Sequence, residues 1–287
     1  MERAPADQPL QWHRYVALGD SFTEGLADPD PERPGAYRGW ADRLAELLDA
    51  QARAGGGPGL EYANLAVRGR LLGAILAEQL PVALASGADL VSIAAGGNDL
   101  LRPRADVDAL AASMDDAVGA LRATGADVLL VAGFDPRSLP VVRLTRGRVA
   151  AYNLQLWATA RRHGAAVLDL WSLRALYDVR MWAPDRIHLS DEGHRRVALA
   201  ALAALHGGRQ GAAEEWAQPL PGGPARSRLT AARDDAAWAR THLAPWVQRR
   251  IAGRSSGDAV RAKRPVPVRV SGPGPEGPGP LSGSART

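Results

Sequence analysis

The chain has 287 residues, 46% of them hydrophobic and 23% charged, enough to bury one α/β core and too apolar for a chain disordered along most of its length. It has no cysteine, which excludes a disulfide scaffold, a thiolate metal site and a cysteine nucleophile. The formal net charge of +4 sits wholly in residues 253–287, where six basic residues (Arg254, Arg261, Lys263, Arg264, Arg269, Arg286) stand against two acidic ones (Asp258, Glu276), so the rest is neutral and no nucleic-acid partner is expected.

Residues 1–13 form an N-terminal extension without the apolar run of a secretory signal. No stretch approaches the roughly 18 apolar residues of a membrane helix, so the expectation is a cytoplasmic protein without stable membrane insertion. Residues 15–19 (YVALG) read as a buried strand ending at glycine. Helix-period residues at 39–53 follow, then a strand near 60–66, a helix at 71–85, a strand at 89–95 and a helix at 106–123. A strand at 127–132, a helix at 147–163, a strand at 165–170 and a helix at 190–205 complete the pattern. Five strands separated by helices predict a parallel sheet covered on both faces, a three-layer α/β/α domain over residues 14–207. Its ligands should sit at the C-terminal ends of the strands.

Beyond residue 207 the composition changes. Residues 208–230 read as a Pro/Gly-rich linker. Residues 231–252 carry an apolar stripe (Trp238, Leu243, Trp246, Val247, Ile251) broken at Pro245, which predicts a C-terminal helix packed on the domain. A membrane-surface or partner helix is the alternative, given Arg249, Arg250 and Arg254. Residues 253–287 are Pro-, Gly- and Ser-rich and are expected to be a disordered basic tail.

Three segments just past predicted strands carry groups capable of chemistry. In GDSFTEG (19–25), Ser21 stands at a strand-to-helix turn, where its hydroxyl is exposed; read alone, it serves equally as a helix N-cap. In AAGGND (94–99), paired glycines admit close approach to the backbone and Asn98 offers an amide donor, though a plain turn has the same letters. In DRIHLS (185–190), a carboxylate three residues before His188 can fold back onto its Nδ1–H, leaving Nε2 as an acceptor; a turn Asp and a surface His describe it as well. Between the first two, NLAVRGR (64–70) places Gly69, whose N–H could face the same pocket.

Together these blocks resemble the SGNH hydrolases, the GDSL-like lipases and acylhydrolases, whose Ser, Gly, Asn and His fall in separate blocks in this order. The resemblance runs from about residue 15 to 205. It implies a flavodoxin-like five-stranded parallel sheet, hydrolysis of esters or thioesters, and neither metal nor organic cofactor. It implies further that Ser21 is the nucleophile, His188 the base and Asp185 its orienting acid, with an oxyanion hole from the N–H groups of Ser21 and Gly69 and the amide of Asn98. The α/β-hydrolase elbow G-x-S-x-G fails, because Thr23 takes its last position. No Walker A ending follows Ser21.

The expectation is therefore a serine esterase acting on a small-molecule ester, of short acyl or acetyl type, with oligomeric state open. An acyltransferase or thioesterase using the same triad is the nearest alternative, and a non-catalytic binding module the more distant one. His194, Arg195 and Arg196 read as a solvated helix face. Trp182 reads as packing rather than pocket lining, and Asp99 as a helix cap. Asp135 and Arg137 stand on a loop where substrate contact is conceivable but less expected than none.

Overall fold

The computed structural model describes residues 12–139, 142–207, 215–218, 220–222, 238, 240–241 and 257–270. In chain order these form β1 (Arg14–Gly19), α1 (Ser21–Glu24), α2 (Trp40–Ala54), β2 (Glu61–Asn64), α3 (Leu72–Glu78), α4 (Leu80–Ala85), β3 (Leu90–Ala94), α5 (Gly97–Leu100), α6 (Val107–Ala123), β4 (Asp127–Ala132), α7 (Arg146–His163), β5 (Ala166–Asp169), α8 (Asp191–Leu205) and β6 (Arg264–Arg269). The sheet order is β5-β4-β3-β1-β2-β6, with β1 to β5 parallel and β6 antiparallel to β2.

Alternation along each strand divides the core. Tyr15, Ala17, Leu129 and Val131 face a cluster built with α2 and α8, while Val16, Leu18, Val128 and Leu130 face one built with α3, α6 and α7. A parallel sheet buried on both faces needs such continuous apolar strands, which is why no polar face appears along β1, β3 or β4. The helix expected at 71–85 is two: Gln79 ends α3 and Pro81 lies in the first turn of α4, where its missing N–H costs nothing.

Two expectations are corrected at the C-terminus. The sheet has six strands rather than five, and part of the predicted disordered tail, residues 257–270, is the added strand and its lead-in turn. Composition alone misses this, because β6 forms from tertiary demand. The outer edge of β2 carries backbone groups that need partners, and Glu61, Tyr62 and Asn64 find them opposite Arg269, Val268 and Arg264. The register shifts between Tyr62 and Asn64, alongside Pro265 and Pro267. At the other end of the chain, Trp12 of the N-terminal extension is buried in the core and its indole N–H donates to Asp127 Oδ2 at 3.0 Å. The helix expected at 231–252 lies almost wholly outside the described residues, which include Trp238. Among the described residues no helix is long and apolar enough to cross a membrane.

Candidate active site

The end of β1 is fixed first. Gln79 accepts from the Gly19 N–H through Oε1 and donates to the Gly19 carbonyl through Nε2, both at 2.9 Å, which holds the strand terminus in place. A Cβ on Gly19 would stand 2.8 Å from the Ala94 carbonyl oxygen, so this approach of β1 to β3 requires glycine. The next residue, Asp20, takes the N-cap of α1: its Oδ1 accepts from Phe22 N–H at 3.0 Å. Ser21 is thereby relieved of the capping role that its position alone suggested, and its hydroxyl is available for other work.

That hydroxyl meets His188. Ser21 Oγ and His188 Nε2 are 3.1 Å apart, and His188 Nδ1 is 2.6 Å from Asp185 Oδ2. The other Asp185 oxygen accepts from the N–H groups of Ile187 and His188, both at 3.0 Å. Arg186 adopts a left-handed conformation (φ 55°) to turn the loop tightly enough for this. Burial pushes the Asp185 carboxyl up, but the His188 hydrogen bond and charge and the two backbone N–H groups outweigh it and hold the group at about 2. An ionised Asp185 favours the Nδ1–H tautomer of His188, which leaves the Nε2 lone pair toward Ser21.

The expected oxyanion donors are placed unequally. Asn98, in α5, lines the cavity with Ser21, and its Nδ2 donates to Asp20 Oδ2 at 2.9 Å and to the Arg70 carbonyl at 3.1 Å. This amide therefore ties the nucleophile turn to the loop that follows β2. Gly69 stands in that loop with φ 74° and is not among the residues lining the cavity. The loop is held a second time by Glu24, which is buried and accepts from Arg68 N–H at 2.8 Å while pairing with its guanidinium. Asp20 is itself buried, and desolvation pushes its carboxyl up to about 6, against the backbone hydrogen bond from Phe22. Of the two glycines before Asn98, Gly96 is required by space as well as by φ (97°): a Cβ there would stand 2.8 Å from the Tyr152 ring.

Behind Ser21 and His188 opens a cavity of about 190 Å³. Its wall is mostly apolar, from Leu101, Val131, Phe134, Leu139, Val149 and Leu170, with the Tyr152 ring at one side. The Tyr152 hydroxyl is kept protonated by burial. Trp238, from beyond the α/β domain, completes the lining.

Several secondary readings change. His194 is fully buried rather than solvated: its Nδ1 accepts from Trp40 N–H at 3.1 Å. Burial first, then the charge of Arg43, depresses it to about 3, so it is a neutral strut between α2 and α8. Arg196 is buried too, with Glu192 as ion partner and the Trp216 and Gln218 carbonyls as acceptors, whereas Arg195 is partly exposed. Asp135 is buried and held at about 2 by Arg146 chiefly and by Arg137, so it braces its loop and does not face the cavity. Trp182 packs edge-on against Phe134 at 4.6 Å and donates to the Leu176 carbonyl, as expected of a packing residue. Asp99 caps a helix as expected, but it is α3, through Leu72 N–H at 2.9 Å. Sequence reasoning passed over Gln79, Asp20 and Tyr152. Of these only Asp20 left a signal, as the neighbour of Ser21 within one motif.

A family model described as GDSL-like Lipase/Acylhydrolase family matches residues 17–196. The solved structure of TesA is 25% identical, with a TM-score of 0.54, covering 67% of this chain and 98% of its own. Axe2, an acetylxylan esterase from Geobacillus stearothermophilus, is 19% identical with a TM-score of 0.55, covering 72% and 96%. The lipase/acylhydrolase from Enterococcus faecalis is 19% identical with a TM-score of 0.54, covering 68% and 96%. No curated protein sequence matches significantly.

Proposed function

The chain belongs to the GDSL-like lipase/acylhydrolase family, and we propose from that premise that it is a serine esterase working through an acyl-enzyme on Ser21. The observation that carries this reading is the continuous relay from Asp185 through His188 to Ser21 at the mouth of an apolar cavity. In the first half-reaction Ser21 Oγ forms a bond to the acyl carbon while its proton passes to His188 Nε2. Negative charge on the carbonyl oxygen is met by the N–H groups of Ser21 and Gly69 and by Asn98, whose amide must then share or exchange its bonds to Asp20 and Arg70. The C–O bond to the alcohol breaks, and His188 returns the proton to the departing alkoxide. Water then repeats the sequence on the acyl-enzyme, releasing the acid and restoring Ser21.

The acyl half occupies the apolar cavity. A single water needs roughly 10–15 Å³ of such space, so about 190 Å³ accommodates much more than an acetyl group, the smaller of the short acyl groups expected from sequence. The reading extends upward from short acyl esters to chains of several more carbons. Labelling by a fluorophosphonate probe, located on Ser21 by mass spectrometry and lost together with ester turnover in Ser21→Ala, tests the proposal. Turnover near wild type in that variant refutes it. Products formed with and without an added polyol separate hydrolysis from acyl transfer.

A further inference from the structure

The cavity has a wall that the family-matched region does not supply. Trp238 lies beyond residues 17–196, yet it is buried and lines the same cavity as Ser21 and His188. Its indole N–H donates to the Asp185 carbonyl at 2.8 Å, and the Arg186 guanidinium lies 5.4 Å from its ring centroid. The ring is thus seated on the acid–base loop, against the two residues that lead into Ile187 and His188.

That seat has a chemical meaning within the esterase reading, on which this inference rests. His188 delivers the proton to the departing alkoxide, so the alcohol half of the ester lies on the imidazole side of the acyl carbon. Leu101, Val131, Leu139 and Val149 line the same cavity from other segments, namely β4, α7, the stretch between them and the end of α5. A large aromatic surface fixed to the His188 loop therefore stands on the side from which the alcohol departs. We propose that Trp238 is a specificity-determining residue for the leaving alcohol, favouring alcohols that carry a ring over small linear ones. Ring–ring contact adds selectivity beyond simple area burial, corresponding to about three- to tenfold in rate.

The test uses the full chain. Wild-type enzyme is first titrated with a fluorophosphonate, which reports the nucleophile whatever the selectivity. kcat/KM is then measured for benzyl, cyclohexyl and ethyl esters of one acid, and for ethyl esters of butyric, hexanoic and octanoic acids. Trp238→Ala should lower the benzyl-to-ethyl ratio about three- to tenfold and leave the octanoate-to-butyrate ratio unchanged. Trp238→Leu keeps an apolar side chain and should give the same loss, which covers the case of an alanine variant that does not fold. Trp238→Phe keeps a ring but withdraws the N–H from the Asp185 carbonyl, and should retain the benzyl preference. An equal loss across all alcohols, or a changed acyl ratio, overturns the assignment. Wild-type enzyme that fails to label defeats the esterase reading itself, a separate result.

Discussion

Replacing Lys263 by methionine tests whether the C-terminal strand is an integral part of the fold. Lys263 Nζ donates to the Glu24 carbonyl at 2.6 Å, the Tyr37 carbonyl at 3.0 Å and Asp42 Oδ2 at 2.5 Å. The Lys263 side chain is 17% exposed and that of Asp42 only 5%. Methionine keeps the apolar stem but withdraws the charge and all three donors. Asp42 then keeps the Gly39 N–H at 3.0 Å, while its Oδ1 has no partner among the described residues. Removing one partner of a buried ion pair costs about 3–5 kcal/mol. For a domain of this size each kcal/mol lowers Tm by about 2–4 °C, which gives a fall of about 6–20 °C. Desolvation already pushes the Asp42 carboxyl up even with Lys263 beside it. Without the lysine it rises further, so the folded variant binds a proton more readily than the unfolded chain and its deficit should narrow as pH falls. Urea and thermal unfolding followed by tryptophan fluorescence give both numbers, and Asp42→Asn in the Lys263→Met background should recover part of the loss. A single variant within about 0.5 kcal/mol of the parent at pH 7, the range of an ordinary surface substitution, refutes the docking of the strand.

Other expectations follow from the site. Asn98→Ala should cost roughly 10²–10³ in kcat with the circular dichroism spectrum retained, and a loss below about tenfold removes Asn98 from the oxyanion hole. Across a p-nitrophenyl ester series, each methylene that enters the cavity contributes roughly 0.8 kcal/mol, about fourfold in kcat/KM, until the space fills; a series falling from acetate onward contradicts the acyl assignment. His194 is depressed from 6.5 to about 3, so its contribution to stability is present above pH 6.5 and is lost progressively as pH falls toward 3. Asp185, lowered from 3.8 to about 2, contributes above pH 3.8 and fades below it. Asp20 has the opposite sign, since its raised value favours the folded state at lower pH. The clean measurement is therefore the difference between parent and His194→Gln, whose unfolding free energy should slope less between pH 6.5 and 4; parallel curves disprove the neutral strut.

The site was legible where chemistry sits directly after a strand. Ser21 and Asn98 fall directly past β1 and β3, and the resemblance supplied their grouping with the Asp185–His188 pair, which stands well beyond the end of β5. Gln79 was illegible because it acts across 60 residues on one peptide unit of β1, with no local pattern to mark it. His194 and Arg196 were misread for a related reason. Helix periodicity places them with Arg195 in one polar stretch, but their burial depends on groups outside α8: Trp40 N–H for the one, and for the other the carbonyls at 216 and 218, alongside Glu192 one turn back. The strand β6 was hidden in a stretch whose average composition is that of a linker, while its partner edge lies some 200 positions earlier. The fold was otherwise readable because both sheet faces are buried, which leaves long apolar runs in β1, β3 and β4.

The two prolines at 265 and 267 give β6 a property beyond completing the sheet. A strand approaching from solvent would find no hydrogen-bond donor at either position, and Arg264 and Arg269 would oppose a like-charged copy. Val266 and Val268, both exposed there, would otherwise invite such an approach. The same segment that satisfies β2 thus closes that side of the sheet to further growth, guarding the protein against edge-to-edge polymerisation.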